Sequence, residues 1–368
     1  MPMRYTFKMK KRKMRDVKVI DLFSGVGGLT HGFVREGFDV VAGYDIDGDC
    51  KHGFEANNGA KFFEKDIAAV TPRELKKLFR GARIKVLIGC APCQPFSTIN
   101  RTRSMYTPDD DRWKPLKKFL ELIIAVKPQL VSMENVKELA DEEKYPVFGE
   151  FVNRLRENGY KVSYKVVDAS RYGVPQSRKR LVLLASRLGE IELIPETHDA
   201  DNLPTVRDAI GDLPRLVDGK AHRDDPLHRA SKLSATNKKR IVATPRDGGS
   251  AKSWRRNLLP ECYKTKDINT YKASVYGRMR WNTLGPTVTT HCVTLGTGRH
   301  GHPTQNRAMS LREAARLQTF PDDYEFVLPD DMSMTKVAKF IGNAVPVKLG
   351  QAIAASIRAH LQTITATK

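Results

Sequence analysis

The stretch that decides the fold is Ile84-Lys85-Val86-Leu87-Ile88-Gly89-Cys90-Ala91-Pro92-Cys93-Gln94-Pro95-Phe96-Ser97. An apolar run of strand length ends in a Pro-Cys-Gln-Pro turn, so the thiol of Cys93 comes where a buried strand leaves its sheet. A second apolar run ends in Glu134-Asn135-Val136. In open α/β sheets, ligands bind at the carboxyl ends of the strands. A nucleophile and a carboxylate at two such ends indicate covalent chemistry with proton transfer.

Strand and helix patterns alternate through the first half of the chain, which predicts a parallel sheet with helices on its faces. The alternation stops near Gly189, and residues 190 to about 305 are rich in Pro, Gly, Arg and Lys. We therefore predict an α/β, doubly wound, mostly parallel sheet with a second, smaller domain of mostly β or irregular structure. The predicted strands are 17–23, 39–44, 61–63, 85–89, 129–134, 161–167 and 180–185, and the predicted helices are 28–36, 71–79, 116–126, 147–157, 310–319 and 347–361.

The composition limits the class of protein. The 368 residues carry a formal net charge of +21, which favours an anionic partner, most often nucleic acid, over a merely soluble basic protein. No apolar run approaches the ~20 residues of a membrane helix, so no membrane association is expected. Five cysteines at irregular spacing imply no disulfide framework, and we expect a reducing, cytoplasmic location.

A glycine turn joins the first predicted strand to the first predicted helix, in the stretch Phe23-Ser24-Gly25-Val26-Gly27-Gly28. Glycines let the backbone approach a ligand, and the helix N-terminus offers free N–H groups. The second strand ends at Asp45, where an acidic residue commonly binds a ribose hydroxyl. Thr30 stands where the sequence motif of dinucleotide-binding proteins has its third glycine or alanine, so the motif is incomplete. A tight turn that binds no ligand therefore remains an alternative.

Cys90 and Cys93 also have the Cys-x-x-Cys spacing of a redox pair, and this local alternative stays open. A zinc site that adds Cys262 and Cys292 is disfavoured, because those two lie far apart rather than at the short spacing of zinc ligands. We expect no metal site, and we expect a buried packing role for Cys90.

Six motifs follow one another along nearly the whole chain. They are Phe23-Ser24-Gly25-Val26-Gly27-Gly28, Pro92-Cys93-Gln94, Glu134-Asn135-Val136, Gln176-Ser177-Arg178-Lys179-Arg180, Arg312-Glu313-Ala314-Ala315-Arg316-Leu317-Gln318 and Ile341-Gly342-Asn343-Ala344-Val345-Pro346. In this order, around a variable middle segment, they resemble the cytosine carbon-5 DNA methyltransferase family. The resemblance implies a Rossmann-like methyltransferase domain at 1–190 plus 335–368 and a target-recognition domain at 191–334.

The same resemblance implies S-adenosylmethionine as the cofactor. Asp45 would bind the ribose hydroxyls, Asp66 the adenine edge, and Asn343 would return from the C-terminal region to complete the pocket. The full set of implied cofactor-binding residues is Phe23, Gly25, Gly27, Asp45, Ile46, Asp66, Ile67, Pro92 and Asn343.

The chemistry agrees with the resemblance. Carbon 5 of cytosine is a poor nucleophile, and a thiolate at Cys93 adding to carbon 6 would activate it. A carboxylic acid at Glu134 would stabilise charge at ring nitrogen 3. Arg178 and Arg180 would hold the base carbonyl, Glu134 or the nearby backbone. The sequence does not identify the base that removes the carbon-5 proton.

The expected partner is double-stranded DNA, with the target cytosine flipped out of the duplex. The expected DNA contacts are Gln94, Ser97, Arg101, Arg278 and Thr289, and the loop from Ser97 to Lys114 has the length and charge of a lid. The resemblance is to enzymes of restriction-modification systems, so a separately acting restriction endonuclease is a candidate partner. The alternatives are an RNA (tRNA) cytosine-5 methyltransferase on the same fold and a catalytically silent DNA-binding regulator.

Overall fold

The computed structural model describes residues 14–92, 110–264 and 275–366. A seven-stranded sheet forms its centre, in the order β3-β2-β1-β4-β5-β7-β6. The strands are β1 Met14–Leu22, β2 Phe38–Asp45, β3 Lys61–Glu64, β4 Ile84–Gly89, β5 Leu130–Val136, β6 Lys161–Asp168 and β7 Lys179–Ser186. The first five pair in parallel, and β7 lies antiparallel between β5 and β6. The predicted doubly wound, mostly parallel sheet is confirmed, and the observed ends of each strand lie close to the predicted ones.

Helices cover both faces of the sheet. The helices are α1 Gly28–Arg35, α2 Lys51–Asn58, α3 Pro72–Leu78, α4 Lys114–Val126, α5 Pro146–Glu157, α6 Val206–Ile210, α7 Ala235–Ala243, α8 Glu261–Lys264, α9 Leu311–Leu317, α10 Met334–Asn343 and α11 Val347–Ala366. Neighbouring strand residues face opposite sides, so Val86 and Ile88 join one buried cluster and Leu87 joins the other. The first cluster includes α1 and α11, and the second includes α3, α4 and α5.

The sequence patterns missed five helices, which are α2, α6, α7, α8 and α10. The first of these, α2, is short and includes Gly53 and two asparagines, so its apolar periodicity is weak. Helix α10 follows an irregular stretch, and its N-cap Ser333 accepts a hydrogen bond from the backbone N–H of Lys336. In the described residues between β7 and α9, the chain forms short helices and isolated β-bridges and adds no strand to the sheet. This agrees with the predicted irregular second segment, while its domain boundaries stay a prediction.

One segment of the described chain, Met334–Thr365, is long and apolar enough to cross a membrane by composition alone. It contains α10 and most of α11, and 78% of its most apolar window is buried inside the protein. Burial of this kind is typical of helices that cover a sheet.

Candidate active site

The parallel strands β1, β4 and β5 end at the same edge of the sheet. Leu22 pairs with Gly89, and Gly89 pairs with Met133, so the three residues that follow these positions are neighbours. They are Phe23 of the glycine turn, Cys90, and Glu134. The two motifs on which the sequence argument rests therefore meet at one edge, beside the glycine turn. This is the position at which open α/β sheets bind ligands.

Glu134 is the central acidic group of this edge and is only 2% exposed. Arg180 Nε lies 3.3 Å from its Oε1 atom, and the Cys90 thiol donates a hydrogen bond of 3.0 Å to its Oε2 atom. Arg180 reaches it because antiparallel β7 pairs Val182 with Glu134. The structure thus brings together two of the predicted catalytic residues, Glu134 and Arg180. It also gives Cys90 a polar contact that the predicted packing role did not include.

Several predicted residues lie outside the described residues, namely Cys93, Gln94, Ser97 and Arg101, together with most of the predicted lid. The turn that leads to them is described as far as Pro92, which is exposed. The side-chain amide of Asn135 donates a 3.2 Å hydrogen bond to the carbonyl of Ala91. This bond ties the start of the turn to the end of β5, next to Glu134.

Arg178 is buried, and it binds backbone rather than Glu134. Its Nη1 donates to the carbonyl of Val288 at 3.2 Å, and its Nη2 donates to the carbonyl of Ala344 at 3.4 Å. Of the three partners predicted for this side chain, the nearby backbone is one that it contacts. The guanidinium joins β7, the segment around Val288 and the end of α10.

Two buried glutamines that the sequence analysis did not single out extend this junction. Gln176 donates to the side-chain oxygen of Gln318 at 2.7 Å and accepts from the N–H of Val288 at 3.1 Å. Gln318 donates to the carbonyls of Ile341 and Ala344. Both glutamines lie within the quoted motifs, and a buried amide can satisfy several backbone groups at once. Three motifs distant in sequence and the segment around Val288 are held together in this way.

The glycine turn has the shape of a ligand cradle. Phe23, Gly25 and Gly27 all have positive φ angles of 64°, 50° and 92°. A side chain added at Gly25 would meet nothing within 4 Å, and its N–H donates a 2.8 Å hydrogen bond to Asp45. Burial raises the pKa of Asp45, although hydrogen bonds from the N–H groups of Asp47 and Gly25 oppose the rise. Open space beside a carboxylate is suited to a ligand with hydroxyl groups.

Thr30, the residue that departs from the dinucleotide-binding motif, links α1 to β1 on either side of this turn. Its hydroxyl donates a 2.6 Å hydrogen bond to Asp21, a buried carboxyl group at the end of β1. Burial raises the pKa of Asp21 to about 7, while the bond from Thr30 acts in the opposite direction. The departure therefore has a structural role.

The remaining predicted cofactor residues differ in exposure. The side chain of Ile46 is 68% exposed beside Asp45, whereas the side chain of Ile67 is buried in the core, so only its backbone could contact a ligand. Asp66 is exposed, and it caps a short turn by accepting from the N–H of Ala68 at 2.8 Å. Asn343 is exposed at the end of α10.

Ion pairs bring α10 to the cofactor side, a contact that the sequence patterns did not reveal. Lys339 Nζ lies 2.7 Å from Asp47, and Lys336 Nζ lies 3.1 Å from Asp49. Both aspartates follow β2 directly. The only signal in the sequence is a pair of lysines three residues apart, which is too common to predict a contact.

The predicted DNA contacts have different outcomes. Thr289 is exposed, and its backbone packs against Gly342, where an added Cβ would lie 2.2 Å from the carbonyl carbon of Thr289. Arg278 is only 1% exposed, so the prediction that it contacts DNA is wrong. Its guanidinium donates to the side-chain oxygen of Asn306 and to the backbone carbonyls of four residues, which are Thr244, His302, Gln305 and Ile241. Burial lowers the pKa of Arg278 to about 10.

Comparisons with known proteins identify the family. A family model described as C-5 cytosine-specific DNA methylase matches residues 17–359. The type II methylase M.HgiDII of Herpetosiphon aurantiacus is 46% identical over 344 residues, which cover 94% of this chain and 96% of that protein. The type II methyltransferase M1.HphI of Haemophilus parahaemolyticus is 32% identical over 342 residues, which cover 92% of this chain and 86% of that protein.

The fold is shared with solved structures as well. The structure of a DNMT2 mutant from Spodoptera frugiperda aligns with a TM-score of 0.63 at 19% sequence identity, and the alignment covers 93% of this chain and 99% of that one. At this identity the likeness concerns the fold alone. Because the family match and both relatives span nearly the whole sequence, the chain belongs to the C-5 cytosine-specific DNA methylase family, whose members methylate carbon 5 of cytosine in DNA.

Proposed function

We propose that this methylase modifies a cytosine within a specific duplex DNA sequence, as the modification enzyme of a type II restriction-modification system. The observation that carries the proposal is the buried carboxyl group of Glu134, held by Arg180 at the strand edge beside the glycine turn. A buried carboxyl group with one cationic partner is suited to proton transfer with a bound base. The names of the type II relatives support the biological role.

The cofactor of the proposed reaction is S-adenosylmethionine, and the residues at the edge fit it. Asp45 offers a carboxylate for the ribose hydroxyls, and exposed Ile46 offers an apolar surface for the adenine ring. The glycine turn leaves open space at Gly25, where an added Cβ would meet no atom within 4 Å. The further residues proposed to hold the cofactor are Phe23, Gly27, Asp66, the backbone of Ile67, Pro92 and Asn343. When bound, the cofactor supplies an electrophilic methyl group.

The residues of the chain activate the base. The Cys93 thiolate adds to carbon 6 of cytosine, and the electron pair of the carbon-5–carbon-6 double bond is delocalised over carbon 5 and, through carbon 4, ring nitrogen 3, so that carbon 5 becomes nucleophilic. Glu134 donates a proton to ring nitrogen 3 as negative charge develops there. Arg180 orients the carboxyl group of Glu134 during this step. After methylation, a base removes the carbon-5 proton, Cys93 leaves as thiolate, and ring nitrogen 3 returns its proton to Glu134, which restores the neutral aromatic ring.

Residues 191–334 are proposed to recognise the target DNA sequence. The cytosine must leave the stack, because both faces of a paired base are covered in the duplex. Thr289 is proposed to contact the flipped nucleotide, and Gln94, Ser97 and Arg101 to contact the DNA near it. Arg278 is left out, because its side chain is buried. A restriction endonuclease that cuts the same unmethylated sequence would act as a separate protein in the same cytoplasm.

Methyl transfer to duplex DNA tests the proposal directly. We expect the purified protein to transfer a labelled methyl group from S-adenosylmethionine to DNA, and we expect Cys93→Ser to abolish the transfer. Glu134→Gln should lower kcat by about 10²–10⁴-fold, because the general acid is lost. Glu157→Gln, which alters an exposed carboxylate on α5, is the control and should leave activity unchanged.

A trapping experiment tests the covalent step and the substrate. Duplex DNA with 5-fluorocytosine at the target should form a stable adduct with the wild type but not with Cys93→Ser, because fluorine cannot leave as the proton does. Full activity of Cys93→Ser would refute the assigned nucleophile. An adduct with tRNA and none with DNA would contradict the assignment of duplex DNA as the substrate. Bisulfite sequencing of DNA from expressing cells would then identify the recognition sequence.

A further inference from the structure

Cys90 occupies a fixed position at the end of β4. Its backbone N–H donates a 3.3 Å hydrogen bond to the carbonyl of Leu22 at the end of β1. The residue before it, Gly89, pairs with Met133 of β5. Cys90 is therefore held between the ends of two neighbouring strands, and its side chain is half-buried.

The thiol of Cys90 meets the carboxyl group that is proposed to act on the base. Its Sγ atom donates to Glu134 Oε2 at 3.0 Å, while Arg180 Nε lies 3.3 Å from Oε1. The two contacts come from different segments, since Cys90 follows β4 directly and Arg180 lies in β7. An ion pair with Arg180 on one oxygen and the hydrogen bond from Cys90 on the other both oppose rotation about the terminal bond of Glu134, so together they orient its carboxyl group.

We propose that Cys90 is a positioning residue for methyl transfer, because its thiol orients the Glu134 carboxyl group toward the target cytosine. This inference rests on the proposed function, in which Glu134 acts at ring nitrogen 3. It differs from the packing role that the sequence indicates for Cys90. It also separates Cys90 from Cys93, since the two cysteines of one turn serve different partners.

The chemistry of a thiol suits this task. Glu134 must exist in protonated and ionised forms during one reaction cycle, and its partner must tolerate both. A second cation on Oε2 would favour the ionised form strongly. A thiol is a weak donor and a weak acceptor, so it can stay in contact with either form at little cost. Arg180 supplies the charge, and Cys90 supplies the orientation.

Three substitutions of Cys90 separate orientation from packing. Cys90→Ala removes the donor and leaves a gap, Cys90→Val fills the gap without a donor, and Cys90→Ser restores a donor. We expect Ala and Val each to lower kcat by about 3–10-fold, the range of a single hydrogen bond, with KM for DNA and for S-adenosylmethionine little changed. Ser should recover most of the lost kcat. Cys50→Ala, which removes a buried thiol from the turn before α2, should keep wild-type kcat.

Thermal unfolding of each variant shows whether folding is affected. If Cys90→Ala proves unstable, kcat of Cys90→Val and Cys90→Ser still separates the two roles. A packing role predicts the higher kcat for Val, and a hydrogen-bonding role predicts the higher kcat for Ser. Wild-type kcat in Cys90→Val, or equal loss in Ser and Ala, would overturn the inference.

A double substitution tests whether Cys90 acts through Glu134. In single-turnover assays, Cys90→Val should lower the rate in the wild-type background but have little further effect in Glu134→Gln, since a positioning effect vanishes with the group positioned. Equal losses in both backgrounds would contradict the inference. Failure of the proposed function looks different, because Glu134→Gln or Cys93→Ser would then retain full activity.

Discussion

At the scale of single residues, the buried charge of Glu313 is held by a matched partner. Glu313 in α9 is fully buried and forms two hydrogen bonds with the guanidinium of Arg307, at 2.9 and 2.6 Å. It also forms a capping box with Ser310. Burial alone would raise the pKa of Glu313, but the charge and hydrogen bonds of Arg307 lower it to about 2. Glu313 lies within one of the six motifs, and its pair with Arg307 has a structural role.

Glu313→Gln should destabilise the fold by about 3–5 kcal/mol at neutral pH, because Arg307 would keep a buried charge without its counter-ion. Urea denaturation measures the difference. The exposed Glu157→Gln is the matched control and should change the free energy of unfolding by less than about 0.5 kcal/mol. A cost for Glu313→Gln as small as that of the control would contradict the role assigned to the pair.

The contribution of the Glu313–Arg307 pair to the stability of the fold depends on pH, and the pKa of Glu313 determines the direction of the change. Because the folded pKa of Glu313 lies below its ordinary value of 4.5, the ionised form stabilises the fold at any pH above that value. The contribution is lost as the pH falls from 4.5 through about 2. The difference in stability between wild type and Glu313→Gln should therefore shrink over this range. A difference that grows on acidification would contradict the depressed pKa.

At the scale of elements, the close contact between α1 and α11 depends on a glycine. An added Cβ at Gly32 would lie 2.5 Å from the carbonyl carbon of Gly350 and 2.6 Å from the backbone nitrogen of Gln351. Backbone atoms cannot rotate away as a side chain can. The two helices cover the same face of the sheet, and α11 follows directly on the segment that carries Asn343.

Gly32→Ala should destabilise the protein by about 1–3 kcal/mol, because the clash outweighs the better helix propensity of alanine. Gly149→Ala in α5 is the control, since its Cβ would meet only the flexible end of the Glu142 side chain. That variant should be neutral or more stable by up to about 1 kcal/mol. Denaturation of both variants measures the contrast, and equal effects would rule out the proposed helix contact.

At the scale of the whole molecule, the net charge of +21 determines how the protein meets DNA. Each phosphate that a cationic side chain neutralises releases counter-ions, so binding weakens as the salt concentration rises. A plot of the logarithm of the binding constant against the logarithm of the salt concentration falls with a slope of about 0.9 for each phosphate contact. With about six to ten phosphate contacts, affinity for duplex DNA should fall about 10³–10⁵-fold between 50 and 200 mM salt. Binding of S-adenosylmethionine, measured in parallel, should change far less. A flat salt dependence for DNA would contradict the electrostatic role of the charge.

Much of the fold was predictable from local patterns. Strand-length apolar runs such as Ile84–Gly89 and the helices between them determine a parallel sheet, because burial on both faces demands such runs. The strand ends then place Glu134 and the turn before Cys93 at one edge. Helices with weak periodicity, such as α2, were missed, since their burial depends on neighbours distant in sequence.

The sequence by itself determined the sheet, the family and the residue types that the chemistry requires, because these are written in periodicity and in motifs of fixed spacing. Only the tertiary structure decided which partner each side chain meets. The sequence predicts a catalytic role for Arg178 and a DNA contact for Arg278, but it does not reveal that both side chains are buried against backbone carbonyls from other segments. Cys90 looks like a packing residue, yet it donates to Glu134. A guanidinium or a thiol binds whatever acceptor the packed chain brings within about 3 Å, and that distance is set by contacts across the whole fold.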